Sequence, residues 1–200
     1  MSKKTNLKMY NTSTLEQTSE DDNNGEHMTK SQLKVINFDS VGGKKYTKNN
    51  NLSIQLKTND VLFLHNDERY TFIEFKNGKL LNKSNRIDIK KLKDIELKIL
   101  NSMFVLGDIE GKSLNTLKEI TNYILVYNED KNLPNEKNSI SEIGNYFVNQ
   151  GSSLSVGENT LDKDEIICFG LEKFKDYCFK NVHTYSKEEF EEKFVKKYEI

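Results

Sequence analysis

Asp60-Val-Leu-Phe-Leu-His-Asn-Asp-Glu-Arg-Tyr-Thr-Phe-Ile-Glu-Phe-Lys-Asn-Gly78 holds two apolar runs joined by a polar turn, the strongest hairpin pattern in the chain. Strands are expected over about Asp60–Leu64 and Tyr70–Lys76, with Asn66-Asp67-Glu68 as the turn. Side chains alternate along a strand, so Leu62, Leu64 and Phe72 share one face while Val61, Phe63, Ile73 and Phe75 share the other. A hairpin that is apolar on both faces belongs in the covered middle of a sheet. Asp60, Glu74 and Lys76 are therefore charges set in apolar surroundings, and Glu74 and Lys76, two residues apart, point the same way.

Register decides what these charges do. A three-residue turn centred on Asp67 sets Leu64 opposite Tyr70, Leu62 opposite Phe72 and Asp60 opposite Glu74. Opposed side chains have Cβ atoms about 4.5–5.5 Å apart, close enough for two carboxylates to repel. A divalent cation between them removes that cost, and Mg²⁺ is commonly held by one or two carboxylates plus substrate phosphates. A two- or four-residue turn instead moves Asp60 opposite Ile73 or Phe75 and separates the acids. Without a cation, Glu74 and Lys76 are a solvated strand face or a same-face pair contributing about a few tenths of a kcal/mol.

Asn59-Asp60, a thirteen-residue gap and then Glu74-Phe75-Lys76 resembles the PD-(D/E)xK nuclease superfamily, with its restriction-endonuclease-like fold. The resemblance implies a metal-dependent phosphodiesterase in which Asp60 and Glu74 hold Mg²⁺ or Mn²⁺ and Lys76 positions or activates the attacking water. Asn59 stands where that family has proline. Glu16, on a short amphipathic helix around Ser13–Ser19, is the candidate for the acid that the family often places on a preceding helix. Phe-Ile-Glu-Phe-Lys-Asn-Gly, with Tyr-Ile-Leu-Val-Tyr-Asn further on, also looks like a group of uncharacterised bacterial proteins, a likeness that brings no activity with it.

Composition bounds the alternatives. Two hundred residues, 35 % hydrophobic and 30 % charged, suit one core domain with an appendage. Net charge is −1, so no global basicity announces nucleic acid, although a basic stripe beside acidic ligands cancels in the sum. The two cysteines, Cys168 and Cys178, lie in apolar runs and read as buried free thiols. His27, His65 and His183 are dispersed, and no Cys/His spacing points to zinc. No apolar run approaches 18 residues and Met1-Ser-Lys-Lys-Thr-Asn lacks an apolar core, so neither a membrane partner nor a secretory signal is expected, and the expected location is cytoplasmic.

In chain order, residues 1–30 are polar enough to be expected as a disordered tail, and 31–200 as a single α/β domain. Leu52–Leu56 alternates and is expected as the first strand of an antiparallel meander continuing through the hairpin. Lys79, Lys83, Arg86, Lys90 and Lys91 form the most basic stretch; Lys79, Lys83 and Arg86 are candidate phosphate contacts, and an ordinary solvated helix start explains them equally. A helix is expected over Asp88–Leu106, with Leu92, Ile95, Ile99, Met103 and Leu106 inward, Leu100 and Phe104 widening the stripe, and Gly107 closing it. Tyr123–Tyr127 follows a crossover and is expected to run parallel to a hairpin strand. Ser139–Gln150 reads as a helix, Gly151–Asp164 as a loop, and Ile166–Phe169 and Tyr177–Val182 as strands. Ser186-Lys-Glu-Glu189 matches a capping box for a last helix that buries Phe190, Phe194 and Val195.

The expected whole is a mixed sheet with a central antiparallel meander flanked by helices, restriction-endonuclease-like, acting as a nuclease on DNA or RNA. A non-catalytic protein of the same fold is the competing class, such as an immunity or antitoxin-like chain with a protein partner.

Overall fold

The computed structural model describes residues 7, 12–21, 25–84, 86–132 and 167–199. Among them, six strands form one open mixed sheet in sequence order, β1 to β6. These are β1 (Thr12–Thr14), β2 (Lys34–Asn37), β3 (Val61–Leu64), β4 (Tyr70–Lys76), β5 (Thr121–Tyr127) and β6 (Asn181–Ser186). The first four run antiparallel as a meander; β5 is parallel to β4 and β6 parallel to β5. A parallel neighbour needs a crossover, and the long helix α3 (Ile89–Glu110) with α4 (Leu114–Ile120) supplies the one between β4 and β5.

The hairpin takes the three-residue-turn register. Val61 pairs with Ile73, Leu62 with Phe72 and Leu64 with Tyr70, and continuing that ladder brings Asp60 to Glu74. Leu62 and Phe72 enter the larger core, while Val61, Phe63, Ile73 and Phe75 enter a second core on the opposite face. α3 covers the first face with Ile95, Ile99, Met103 and Leu106, all buried, each contributing roughly 1.5–3 kcal/mol of burial. The second face is covered by α6, which runs through Lys187–Phe190, Glu191–Val195 and Lys196–Tyr198 with a π-helical middle. Ser186 caps it through the expected box with Glu189, and Phe190, Phe194 and Val195 are buried.

Several expectations are corrected by where backbone and side chains find partners. β1 lies within residues 1–30, where composition predicts a disordered tail, whereas the short helix α1 (Leu15–Thr18) falls inside Ser13–Ser19, where a short amphipathic helix is expected. Thr12–Thr14 pairs with Lys34–Ile36, and Leu15 and Met28 bury in the second core. Leu52–Leu56 is not a strand. Leu52 and Ile54 are exposed, and the Leu56 N–H donates to Thr47 Oγ1 on α2, a π-helical run Asp39–Lys45 continued by Tyr46–Asn49. Gly42 and Gly43 both lie inside α2.

α3 extends past Gly107 to Glu110 and is closed by Gly111, whose φ of 62° is the left-handed C-cap conformation. Leu100 and Phe104 do not widen its buried stripe; both are exposed. Tyr177–Val182 is replaced by β6 at Asn181–Ser186, and Ile167–Phe169 forms no strand. The expected helix over Ser139–Gln150, the loop over Gly151–Asp164 and Ile166 lie outside the described residues. A short helix, α5 (Glu129–Asn132), follows β5. No helix among the described residues is long and apolar enough to cross a membrane, and Cys168 and Cys178 are free and buried.

Candidate active site

The hairpin brings Asp60, Glu74 and Lys76 together where β3 begins and β4 ends. Asp60 Oδ2 accepts the Phe75 N–H at 2.8 Å, which fixes its carboxylate on the outgoing strand. Glu74 is fully buried, at 0 % exposure, because its neighbours on that face are the apolar groups that α3 covers. Lys76 Nζ lies 2.7 Å from Glu74 Oε1.

A fourth group joins them from α3. Lys98 Nζ is 3.0 Å from Asp60 Oδ1 and 2.7 Å from Glu74 Oε1, so one ammonium bridges both carboxylates. Sequence reading missed Lys98. The available signal was its position three residues after Ile95 and one before Ile99, a charge at the edge of the buried stripe. Ser102, one turn further on, is also buried and accepts the Asn59 N–H at 2.8 Å, tying the start of the hairpin to the same helix.

Burial pushes the Asp60 carboxyl up to about 6, with the Glu74 charge adding to the rise and Lys98, Lys76 and the Phe75 N–H opposing it. Burial acts on Glu74 in the same direction, but Lys76 and Lys98 outweigh it and hold that carboxyl below the usual range. Burial alone would lower the Lys98 ammonium; Glu74 and Asp60 reverse the sign and raise it. Tyr123, buried beneath, has its phenol raised by burial and then by Glu74 and Asp60. Two carboxylates against two ammonium groups make a balanced cluster, the condition under which charges persist away from water.

The balance is electrostatic, not complete in hydrogen bonds. Glu74 Oε2, the Tyr123 hydroxyl and both polar atoms of the Asn59 side chain are buried without a hydrogen-bond partner among the described residues. Such atoms are rare in folded proteins and call for an account. For a divalent cation the donor chemistry fits: Asp60 and Glu74 offer hard carboxylate oxygens, and Glu74 Oε2 is uncommitted. No group of three His, Cys, Asp or Glu side chains gathers for a metal among the described residues, so an ion would rely on two acids. Glu16 is not a third, since its Oε2 accepts from Gln32 Nε2 at 2.7 Å, away from the cluster.

Two cavities meet at Lys76. One, of about 630 Å³, is lined by Lys57, Lys76, Lys79, Lys90 and Lys91 together with Asp88 and Asp94. The other, of about 320 Å³, is lined by Asp60, Lys76, Glu20 and Asp21 among others. Lys79 thus lies where a phosphate contact is useful. Lys83 and Arg86 do not line the cavity; they sit on a tight turn closed by the Asn82 N–H donating to Arg86 O at 2.7 Å. Lys57, from the loop before the hairpin, pairs with Asp94, and Lys90 and Lys91 open α3.

Fold and site together define an α/β protein with an open mixed sheet and a carboxylate–lysine cluster, built around the buried Glu74, beside a lysine-lined cavity. Comparison with family models, curated proteins and solved structures returns no match.

Proposed function

We propose that the chain is a metal-dependent phosphodiesterase acting on nucleic acid, DNA or RNA. The observation that supports this reading is that Asp60 and Glu74 lie close enough to share one positive group, the Lys98 ammonium, with one Glu74 oxygen uncommitted, beside a cavity rich in lysine. Asp60 and Glu74 would hold Mg²⁺ or Mn²⁺, which lowers the pKa of bound water and neutralises charge on the phosphoryl group. Lys76 borders both cavities and donates to Glu74, so its ammonium can orient a water or stabilise charge developing on a phosphoryl oxygen. In the hydrolysis, water oxygen bonds to phosphorus, the bond from phosphorus to the leaving sugar oxygen breaks, and that oxygen takes up a proton. Lys57, Lys79, Lys90 and Lys91 offer the positive charge that holds a polyanion.

A second reading has its own observation. Lys98 already occupies the place between the carboxylates, and an internal ammonium can neutralise them permanently. The chain would then be a non-catalytic binding protein, such as an immunity or antitoxin-like partner of another protein. Calorimetry with Mg²⁺ and Mn²⁺ on the wild type, Asp60→Asn and Glu74→Gln, run beside plasmid and RNA cleavage, separates the two. Metal binding and metal-dependent cleavage, both lost in the variants, support the phosphodiesterase. A wild type that neither binds metal nor cleaves leaves the binding protein.

A further inference from the structure

The outward positions of α3 form a single ridge. Lys93, Leu97, Leu100, Phe104 and Asp108 are all exposed, at spacings of four, three, four and four, which is one face of a helix. Its centre is apolar: Leu97 is 47 %, Leu100 45 % and Phe104 62 % exposed. Single apolar residues on a surface are ordinary, but a contiguous apolar ridge with charged ends marks a contact surface. These side chains contribute nothing to the core, whose stripe on α3 is already filled by Ile95, Ile99, Met103 and Leu106.

We infer that this ridge pairs with the same ridge of a second copy, the two helices running antiparallel about a two-fold axis near Leu100 and Asn101. The end charges select this occupant and this direction. Antiparallel pairing sets Leu97 against Phe104 of the other copy and brings each Lys93 to the opposite Asp108. Parallel pairing would oppose Lys93 to Lys93 and Asp108 to Asp108. Lys93 has no ion-pair partner among the described residues, and Asp108 Oδ2 accepts only the Tyr46 hydroxyl at 3.0 Å. The contact is isologous, so each attractive pair occurs twice, and the three-four spacing suits the shallow crossing of antiparallel helices.

Size sets the strength. From Lys93 to Asp108 the ridge runs about 22 Å at 1.5 Å per residue. One helix covers less than the ~800 Å² per partner of a standard interface, which makes the dimer a weak, concentration-dependent one. The inference does not depend on the proposed activity, because Lys98 and Ser102 point from the opposite side of α3.

Sedimentation equilibrium across low-micromolar to sub-millimolar protein tests it, with circular dichroism confirming that each variant is folded. The wild type passes from monomer to dimer, and Leu97→Ser with Phe104→Ser stays monomeric. Lys93→Glu alone, and Asp108→Lys alone, each weaken the dimer roughly ten-fold, while the two combined restore it, since the pairs re-form with reversed sign. A wild type that remains monomeric throughout overturns the inference and leaves the ridge for a different partner. A dimer indifferent to the serine pair, or not restored by the double reversal, overturns it as well.

Discussion

Lys98 Nζ lies 2.7 Å from Glu74 Oε1, sharing that oxygen with Lys76, so the helix that covers the sheet also holds the charge balance of the hairpin. Lys98→Met removes one cation and leaves Asp60 and Glu74 facing each other. Removing one member of a buried pair typically costs ~3–5 kcal/mol, and here about 2–3 kcal/mol is expected because Lys76 still reaches Glu74. Urea unfolding in chelator measures that loss. Adding Mg²⁺ then raises the melting temperature of Lys98→Met more than that of the wild type, because the ion meets two carboxylates with no ammonium between them. A variant whose melting temperature ignores Mg²⁺ favours the non-catalytic reading.

Lys76 is expected to separate binding from chemistry. Its side chain borders both cavities and donates to an oxygen that Lys98 also holds. Lys76→Met therefore keeps metal affinity within a few-fold by calorimetry. Cleavage falls by roughly 10²–10³-fold, the size of a lost charge-stabilising donor. Equal losses of binding and cleavage would instead make Lys76 a structural counter-charge to Glu74.

How much of this was legible in the chain follows from where each signal resides. The hairpin register was legible because turn length and two-faced apolar alternation fix it locally, and the crossover to β5 because a long helix separates two apolar runs. β6 was misplaced since its inward residues are Val182, Thr184 and Ser186. Two of those three are polar: Thr184 accepts the Cys168 N–H from sixteen residues away, and Ser186 is taken up by the N-cap of α6 through the Glu189 N–H. β1 was missed because Thr12-Ser13-Thr14 carries no apolar residue and becomes a strand only by pairing with Lys34–Ile36, some twenty residues on. Lys98 was hidden by its chemistry: a lysine beside a buried stripe reads as solvated until the carboxylates opposite it are placed.

Gly42 is fixed by its neighbours. A Cβ there would sit 2.8 Å from Phe38 Cε1 and 3.1 Å from Thr58 Cγ2. The Phe38 ring is fully buried and packs edge-on against Phe72 at 5.0 Å, so it has no room to retreat. Gly42→Ala gains helix propensity yet still loses ~1–2 kcal/mol in urea unfolding, the overpacking cost exceeding the gain. An unchanged midpoint would mean that the aromatic pair shifts freely.

His183 gives the fold an acid sensitivity whose sign is set by burial. Its imidazole stacks on Tyr185, with ring centres 5.3 Å apart. Its pKa is held below the usual histidine value first by burial and then by Lys175 and Lys193. The folded state therefore prefers neutral imidazole, whereas the unfolded chain takes up its proton at about pH 6.5. This contribution to stability is complete above that pH and is lost as pH falls below it, because the unfolded state then binds the extra proton. His65, also lowered by burial and by Arg69, acts in the same direction. Replacing His183 by phenylalanine keeps a flat ring on Tyr185 and removes the proton site. The destabilising part of the change in midpoint from pH 7.5 to pH 5.5 should then be smaller for His183→Phe than for the wild type and smaller again when His65→Phe is added, while Asp60, whose carboxyl is raised to about 6, acts in the opposite direction in all three proteins. Equal pH dependence in the wild type and both variants would place the acid sensitivity in other groups.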